Sequence, residues 1–183
     1  MVALSLSGGL DSSTLLCYLV TSNIKPKCFF FNYGQISAAF EEVAAAQIAN
    51  YCHVDLLILD IRHCFKDVNV GKEGHTLGNT TIVRGRNLFF AALLSMNADE
   101  VYMGVNKTDF EVYPDCRPNF FEQLNKISDA RTITPFIDLT KEQIVSLGKS
   151  LGVPFHLTRS CYTNKALPCG VCGACIERKK TGV

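Results

Sequence analysis

The sequence predicts an α/β protein: a parallel β-sheet with helices on both faces. Three observations carry this. Apolar runs without polar alternation recur at Val2–Leu6, Lys27–Phe31 and Leu56–Ile61, as strands buried on both sides require. Segments with apolar residues at helical spacing separate them. At 183 residues and 48% hydrophobic side chains, the chain can build one sizeable core.

Val2–Leu6 reads as the first strand and Ser12–Val20 as the helix after it. Lys27–Phe31 is a second strand, the alanine-rich Ser37–Tyr51 a helix, and Leu56–Ile61 a third buried strand. Cys64–Thr81 has no periodicity and holds three glycines (Gly71, Gly74 and Gly78), so an irregular loop is expected there. Leu88–Met96 resumes a helix, Val101–Val105 a strand, and Thr132–Ile133 a short strand. Thr140 is placed to cap a helix, with Gln143 completing a capping box. Gly152 and Pro154 end that helix. The division expected is an α/β domain over 1–154 and a cysteine-rich tail over 155–183, within one compact unit.

Between the first strand and helix stands Ser7-Gly8-Gly9-Leu10-Asp11-Ser12-Ser13. Glycines there let backbone N–H groups approach an anion with no Cβ in the way. The helix N-terminus adds unpaired donors and the positive end of its dipole, and three serines add hydroxyls. The stretch is neither Gly-x-x-x-x-Gly-Lys nor Gly-x-Gly-x-x-Gly. It resembles the pyrophosphate loop of the ATP-pyrophosphatase group, which cuts ATP between its α- and β-phosphates.

The net charge of +1 provides no basic surface for nucleic acid, so no such partner is expected. No apolar run approaches the roughly 20 residues of a membrane span, so no membrane partner is expected either. The first apolar run has no basic leader, which favours the cytoplasm.

Cys17, Cys28, Cys52 and Cys64 are scattered among apolar and mixed segments and read as small hydrophobes. Cys161, Cys169, Cys172 and Cys175 form Cys-x7-Cys-x2-Cys-x2-Cys, with Gly170 and Gly173 inside the turns. Four thiolates with no open position suit a closed, structural Zn²⁺ site. An iron–sulfur cluster and a redox dithiol are the alternatives.

Two polar clusters remain. Arg84-Gly85-Arg86-Asn87 precedes an apolar helix and suits either an anion clamp or an ordinary solvated helix start. Asn106 to Pro118 follows a strand, where open α/β sheets place their ligands, and Gln35 lies just past the second strand at the same edge. The four histidines show no ligand spacing.

These pieces together resemble the 7-cyano-7-deazaguanine synthase family of queuosine biosynthesis. The motifs are SGGLDSS, FNYGQ at 31–35, GRN at 85–87, GVN at 104–106, D-x-x-x-YPDCRP from Asp109 to Pro118 and TP at 134–135. They continue with LTKEQIV at 139–145, LGVP at 151–154, T-x-SCY at 158–162 and CG-x-CGAC-x-x-R from Cys169 to Arg178. The resemblance implies a Rossmann-like fold of the adenine nucleotide alpha hydrolase type. It implies an ATP-dependent ligase that turns 7-carboxy-7-deazaguanine and ammonia into the nitrile through adenylated acid and amide intermediates. ATP would be held by Leu6, Ser7, Gly8, Gly9, Leu10, Asp11, Ser12, Ser13 and Gln35. The base and its carboxylate would meet Arg86, Asn87, Asp109, Tyr113, Asp115 and Arg117. Asp109, Asp115, Arg117 and Lys141 would be the catalytic set. Mg²⁺ would accompany ATP, one Zn²⁺ would sit on the four cysteines, and the chain would pair as a homodimer. The gap from Cys161 to Cys169 is one residue shorter than the family pattern, and Arg84 replaces a frequent proline. Alternatives are a member that stops at the amide or adenylates another carboxylate, and a tRNA-modifying relative with the same loop.

Overall fold

The computed structural model describes residues 1–65, 83–110 and 113–183. Five strands form one sheet in the order β3-β2-β1-β4-β5: β1 (Val2–Ser5), β2 (Lys27–Asn32), β3 (Leu56–Asp60), β4 (Glu100–Met103) and β5 (Arg131–Ile133). Every pairing is parallel, and Leu4 lies opposite both Cys28 and Tyr102. The expected parallel α/β fold is therefore the observed one. Of the expected loop over 64–81, everything past Phe65 lies outside the described residues.

The pleat sends alternate side chains to opposite faces. Leu4, Cys28, Phe30 and Tyr102 join a core with α1 (Leu10–Thr21), α2 (Ala38–Tyr51) and α5 (Lys141–Ser150). Ala3, Phe29, Phe31, Val101 and Met103 join a second core with α3 (Arg86–Ser95) and α4 (Pro118–Ile127). A final helix, α6 (Gly173–Thr181), follows the cysteine cluster.

Four details differ from the sequence reading. β3 was expected to be buried, but it forms the sheet edge and leaves Leu57 and Ile58 exposed among the described residues. Cys17, Cys28 and Cys52 are buried as small hydrophobes, whereas Cys64 is exposed. α4 had no counterpart in the sequence reading; Pro118 occupies its first turn, where a missing N–H costs nothing. Gly170 adopts a left-handed φ of 74°, whereas Gly173 opens α6. The capping box of α5 is complete: Gln143 N–H donates to Thr140 Oγ1 and Thr140 N–H donates to Gln143 Oε1.

The strand order places a topological switch at β1: its helix crosses towards β2, while β4 lies on its other side. Ligands of such sheets bind above the carboxyl ends of the strands at that point.

Candidate active site

A cavity of about 710 Å³ opens there, bounded by the ends of β1, β2 and β4. Its floor is the elbow from β1 to α1. Gly8 turns with φ 74°, and a Cβ on it would lie 2.6 Å from Ala45 N and 2.7 Å from Glu41 O on α2. Only glycine lets the elbow sit that close. Gly9 is the N-cap of α1 and supplies no side-chain cap, so the first N–H groups of the helix stay open to the cavity. Ser7 and Ser12 shape the turn. The Ser7 N–H donates to Ser12 Oγ at 3.2 Å, and the two hydroxyls lie 3.0 Å apart. At the exit of β4, a Cβ on Gly104 would come within 3.0 Å of Ser12 N. The open donors and the helix dipole make the elbow an anion cradle.

One side of the cavity carries a linked acid–cation group. Lys141 Nζ donates to Asp11 Oδ2. Asn106 Nδ2 donates to Asp11 Oδ2 at 3.2 Å and to Asp109 Oδ2 at 2.8 Å. Burial opposes the Lys141 charge, yet Asp11 and Asp109 outweigh it and raise its pKa. Burial raises the Asp109 carboxyl, although Lys141 pulls the other way. Asp11 Oδ1 is buried without a hydrogen-bond partner.

A second group of lining residues is aromatic and cationic. Arg86 Nη1 donates to Tyr33 Oη at 3.3 Å. Tyr113 and Tyr162 line the same wall, and burial pushes the Tyr33 and Tyr162 phenols up. Asn87 sits at the start of α3 and is fixed from the 113–117 segment: its N–H donates to Asp115 Oδ2 at 3.0 Å, and its Nδ2 to Asp115 O at 3.1 Å.

Leu6, Ser7, Gly9, Leu10, Asp11, Ser12, Gln35, Arg86, Asn87, Asp109, Tyr113 and Lys141 therefore meet around one cavity, although they come from distant parts of the chain. Gly8 faces α2, and Ser13 is fully buried behind the elbow. Gln35 spends its amide inside the protein, accepting from Tyr33 N–H and donating to Phe31 O and Glu41 Oε2. Asp115 and Arg117 are not in the cavity lining. Asp115 holds Asn87, and exposed Arg117 donates from Nε to Phe110 O at 3.0 Å. These two stand beside the lining residues Asn87 and Tyr113 rather than among the lining itself.

The tail supplies lining residues that sequence reasoning did not assign: Arg159, Ser160, Tyr162 and Arg178. The only local signal was their place inside the T-x-SCY and CGAC-x-x-R motifs. Nearby, the ligand sulfurs of Cys161, Cys169, Cys172 and Cys175 lie within 4.8 Å of one another. Tetrahedral thiolates around one ion stand roughly 3.8 Å apart, so a small contraction closes the set. Cys169 N–H donates to Cys161 Sγ at 3.3 Å, and Cys172 N–H to Cys169 Sγ at 3.4 Å. Burial alone would push the Cys161 thiol up, but hydrogen bonds from Cys169 and Thr163 bring it down to about 6. The cluster can hold a metal ion.

An all-parallel sheet with an open glycine elbow at its switch point, facing cations across a cavity, defines a nucleotide-binding α/β protein of the pyrophosphate-loop type. Solved structures share this fold. NMN synthetase from Francisella tularensis superposes with a TM-score of 0.58 at 18% identity, covering 100% of this chain and 72% of that one. NH3-dependent NAD synthetase from Campylobacter jejuni gives 0.54 at 20% identity, covering 85% and 66%. The chain belongs to the queuosine biosynthesis protein QueC family, whose model matches residues 1–182. It is 37% identical to the 7-cyano-7-deazaguanine synthase of Methanosphaerula palustris, over 96% of this chain and 90% of that protein. It is 34% identical to that of Picrophilus torridus, over 96% and 84%.

Proposed function

We propose that the chain is an ATP-dependent ligase that converts 7-carboxy-7-deazaguanine and ammonia to 7-cyano-7-deazaguanine in two adenylation steps. The observation that carries the reading is the start of α1, which has no side-chain cap and whose residues Gly9 to Ser12 line the cavity together with Lys141. Family membership supplies the substrate class.

The chemistry follows from the walls. A carboxylate is a poor electrophile. Its oxygen attacks the α-phosphorus, pyrophosphate leaves, and the acyl carbon becomes open to ammonia, which expels AMP. The amide oxygen then attacks the α-phosphorus of a second ATP, pyrophosphate leaves again, and the adenylated amide gives up both N–H protons and AMP to leave the nitrile. The elbow and Lys141 stabilise the charge that builds on the phosphates. Asp109 accepts N–H groups of the amidine edge, and Arg86 pairs with the substrate carboxylate. Tyr113 packs against the base, while Asp115 and Arg117 hold Asn87 and the 113–117 segment. Mg²⁺ would be held by Asp11, whose orphaned Oδ1 fits it, and would offset phosphate charge. One Zn²⁺ on the four cysteines would fold the 155–183 tail onto the 1–154 domain, so the two act as one unit.

No helix among the described residues is long and apolar enough to cross a membrane. A cytoplasmic homodimer acting on small molecules alone fits the family, and the near-zero net charge supports the lack of a nucleic-acid partner. The test is incubation of the zinc-loaded protein with 7-carboxy-7-deazaguanine, ammonium and MgATP, followed by mass spectrometry. Nitrile with AMP is expected. Amide as the end product would instead support the shortened reaction, and unchanged acid would sink both.

A further inference from the structure

Arg159 stands where the cysteine-rich tail meets the elbow. Its backbone N–H donates to Gly8 O at 2.8 Å. Its guanidinium lies over the Phe40 ring of α2, 4.8 Å from the centroid. Nη1 donates to Ala166 O, and Nη2 to Thr163 O and Lys165 O. These acceptors are all neutral carbonyls, so none of them balances the charge. The Nε is buried and has no hydrogen-bond partner.

The carboxylates that share the cavity have other donors. Asp11 accepts from Lys141, Asp109 from Asn106, Glu41 from Gln35 and Ser37, and Glu177 from Lys180. Arg178, another lining residue, donates to Val183 O, Phe155 O, Ser160 Oγ and the two oxygens of Thr158. Arg159 thus lines the cavity beside the glycine elbow with no carboxylate among its hydrogen-bond acceptors and one buried donor unsatisfied. A buried N–H without an acceptor is costly, and a guanidinium matches phosphate oxygens in charge and geometry.

We propose that Arg159 is a polyphosphate-binding residue, its guanidinium meeting a phosphoryl oxygen of the triphosphate, and of pyrophosphate after cleavage, in the cavity it lines. Arg178 acts as a positioning residue that holds the 155–160 segment under it. This rests on the reading of the cavity as an ATP site.

The test is calorimetric titration of the zinc-loaded chain with pyrophosphate and, separately, with adenosine. Arg159→Met keeps the stem over Phe40 and removes the donors; Arg159→Lys keeps a charge but cannot bridge the three carbonyls. For Arg159→Met, a loss of about tenfold or more in pyrophosphate affinity is expected, with adenosine affinity unchanged. Arg159→Lys should recover part of that loss. Unchanged pyrophosphate affinity in Arg159→Met overturns the assignment. So does an equal loss for adenosine and pyrophosphate, or loss of zinc in both variants, because either marks a purely structural role. No pyrophosphate binding by the parent protein overturns it as well. The organic acid is absent from this titration. A parent protein that binds pyrophosphate through Arg159 but forms no nitrile therefore refutes the proposed reaction alone.

Discussion

Lys141 Nζ donates to Asp11 Oδ2, joining the first residue of α5 to the first turn of α1. Both side chains are largely shielded, at 15% and 18% exposure. Asn106 extends the contact to Asp109, so one cation faces two carboxylates beside the phosphate cradle. The pair fixes the position of Lys141 beside the elbow.

Removing that cation leaves Asp11 and Asp109 uncompensated. Breaking a buried pair by deleting one partner costs about 3 kcal/mol. Lys141→Met should therefore lower stability by about that amount in urea unfolding. It should also cut kcat/KM for ATP by roughly 100-fold, as loss of a preorganised electrostatic group does. Unchanged ATP kinetics would remove Lys141 from the phosphate site.

Asp109 gives a pH signature. Burial raises its carboxyl above the ordinary 3.8. The folded state then holds its proton to higher pH than the unfolded state, and stability falls as pH rises from about 3.8 through the raised value. Asp109→Asn lacks this loss. Its stability relative to the parent should climb across that window and stay level above it. A flat difference from pH 3 to pH 8 in thermal melts would show that the carboxyl is not raised. Activity of the variant should fall throughout.

Gly8 tests the elbow. Alanine there meets an unfavourable φ of 74° and a Cβ 2.6 Å from Ala45 N. Strain of this kind costs about 1–3 kcal/mol before the clash is counted. Gly8→Ala should weaken ATP binding and loosen α2. Wild-type ATP affinity in Gly8→Ala would mean that the elbow does not set the phosphate position.

The cysteine cluster predicts a labelling pattern. Cys64 is the exposed thiol among the described residues, so a brief alkylation of the metal-loaded protein should mark it first. Chelation should then open Cys161, Cys169, Cys172 and Cys175 together. Metal analysis should return one zinc per chain. Iron and sulfide in its place would assign the cluster to iron–sulfur chemistry.

The strands on both sides of β1 were readable because buried parallel strands leave uninterrupted apolar runs, and KCFFF is such a run. The capping box at Thr140 and Gln143 was readable because its chemistry is local. Two further features lay beyond local pattern. β3 looks like a core strand, yet its outer neighbour is decided by strand order, and Leu57 and Ile58 end up exposed. α4 buries Phe121 and Leu124 along one narrow face and starts directly after a proline-rich segment, so its periodicity is short. At the site, the glycine elbow and Lys141 were legible from motifs. The contact of Asp115 with the Asn87 N–H was not legible, because the two are remote in sequence. Arg159 and Arg178 line the cavity from the tail, far in sequence from the elbow, which no local pattern shows.

If the cradle at Gly9 delivers the α-phosphate to an organic acid, oxygen from that acid ends in AMP. The direct measurement uses 7-carboxy-7-deazaguanine with both carboxylate oxygens replaced by oxygen-18, incubated with MgATP and ammonium. Adenylation sends the heavy oxygens into AMP, and the released pyrophosphate stays unlabelled. Heavy oxygen in phosphate or pyrophosphate, with none in AMP, would contradict the account.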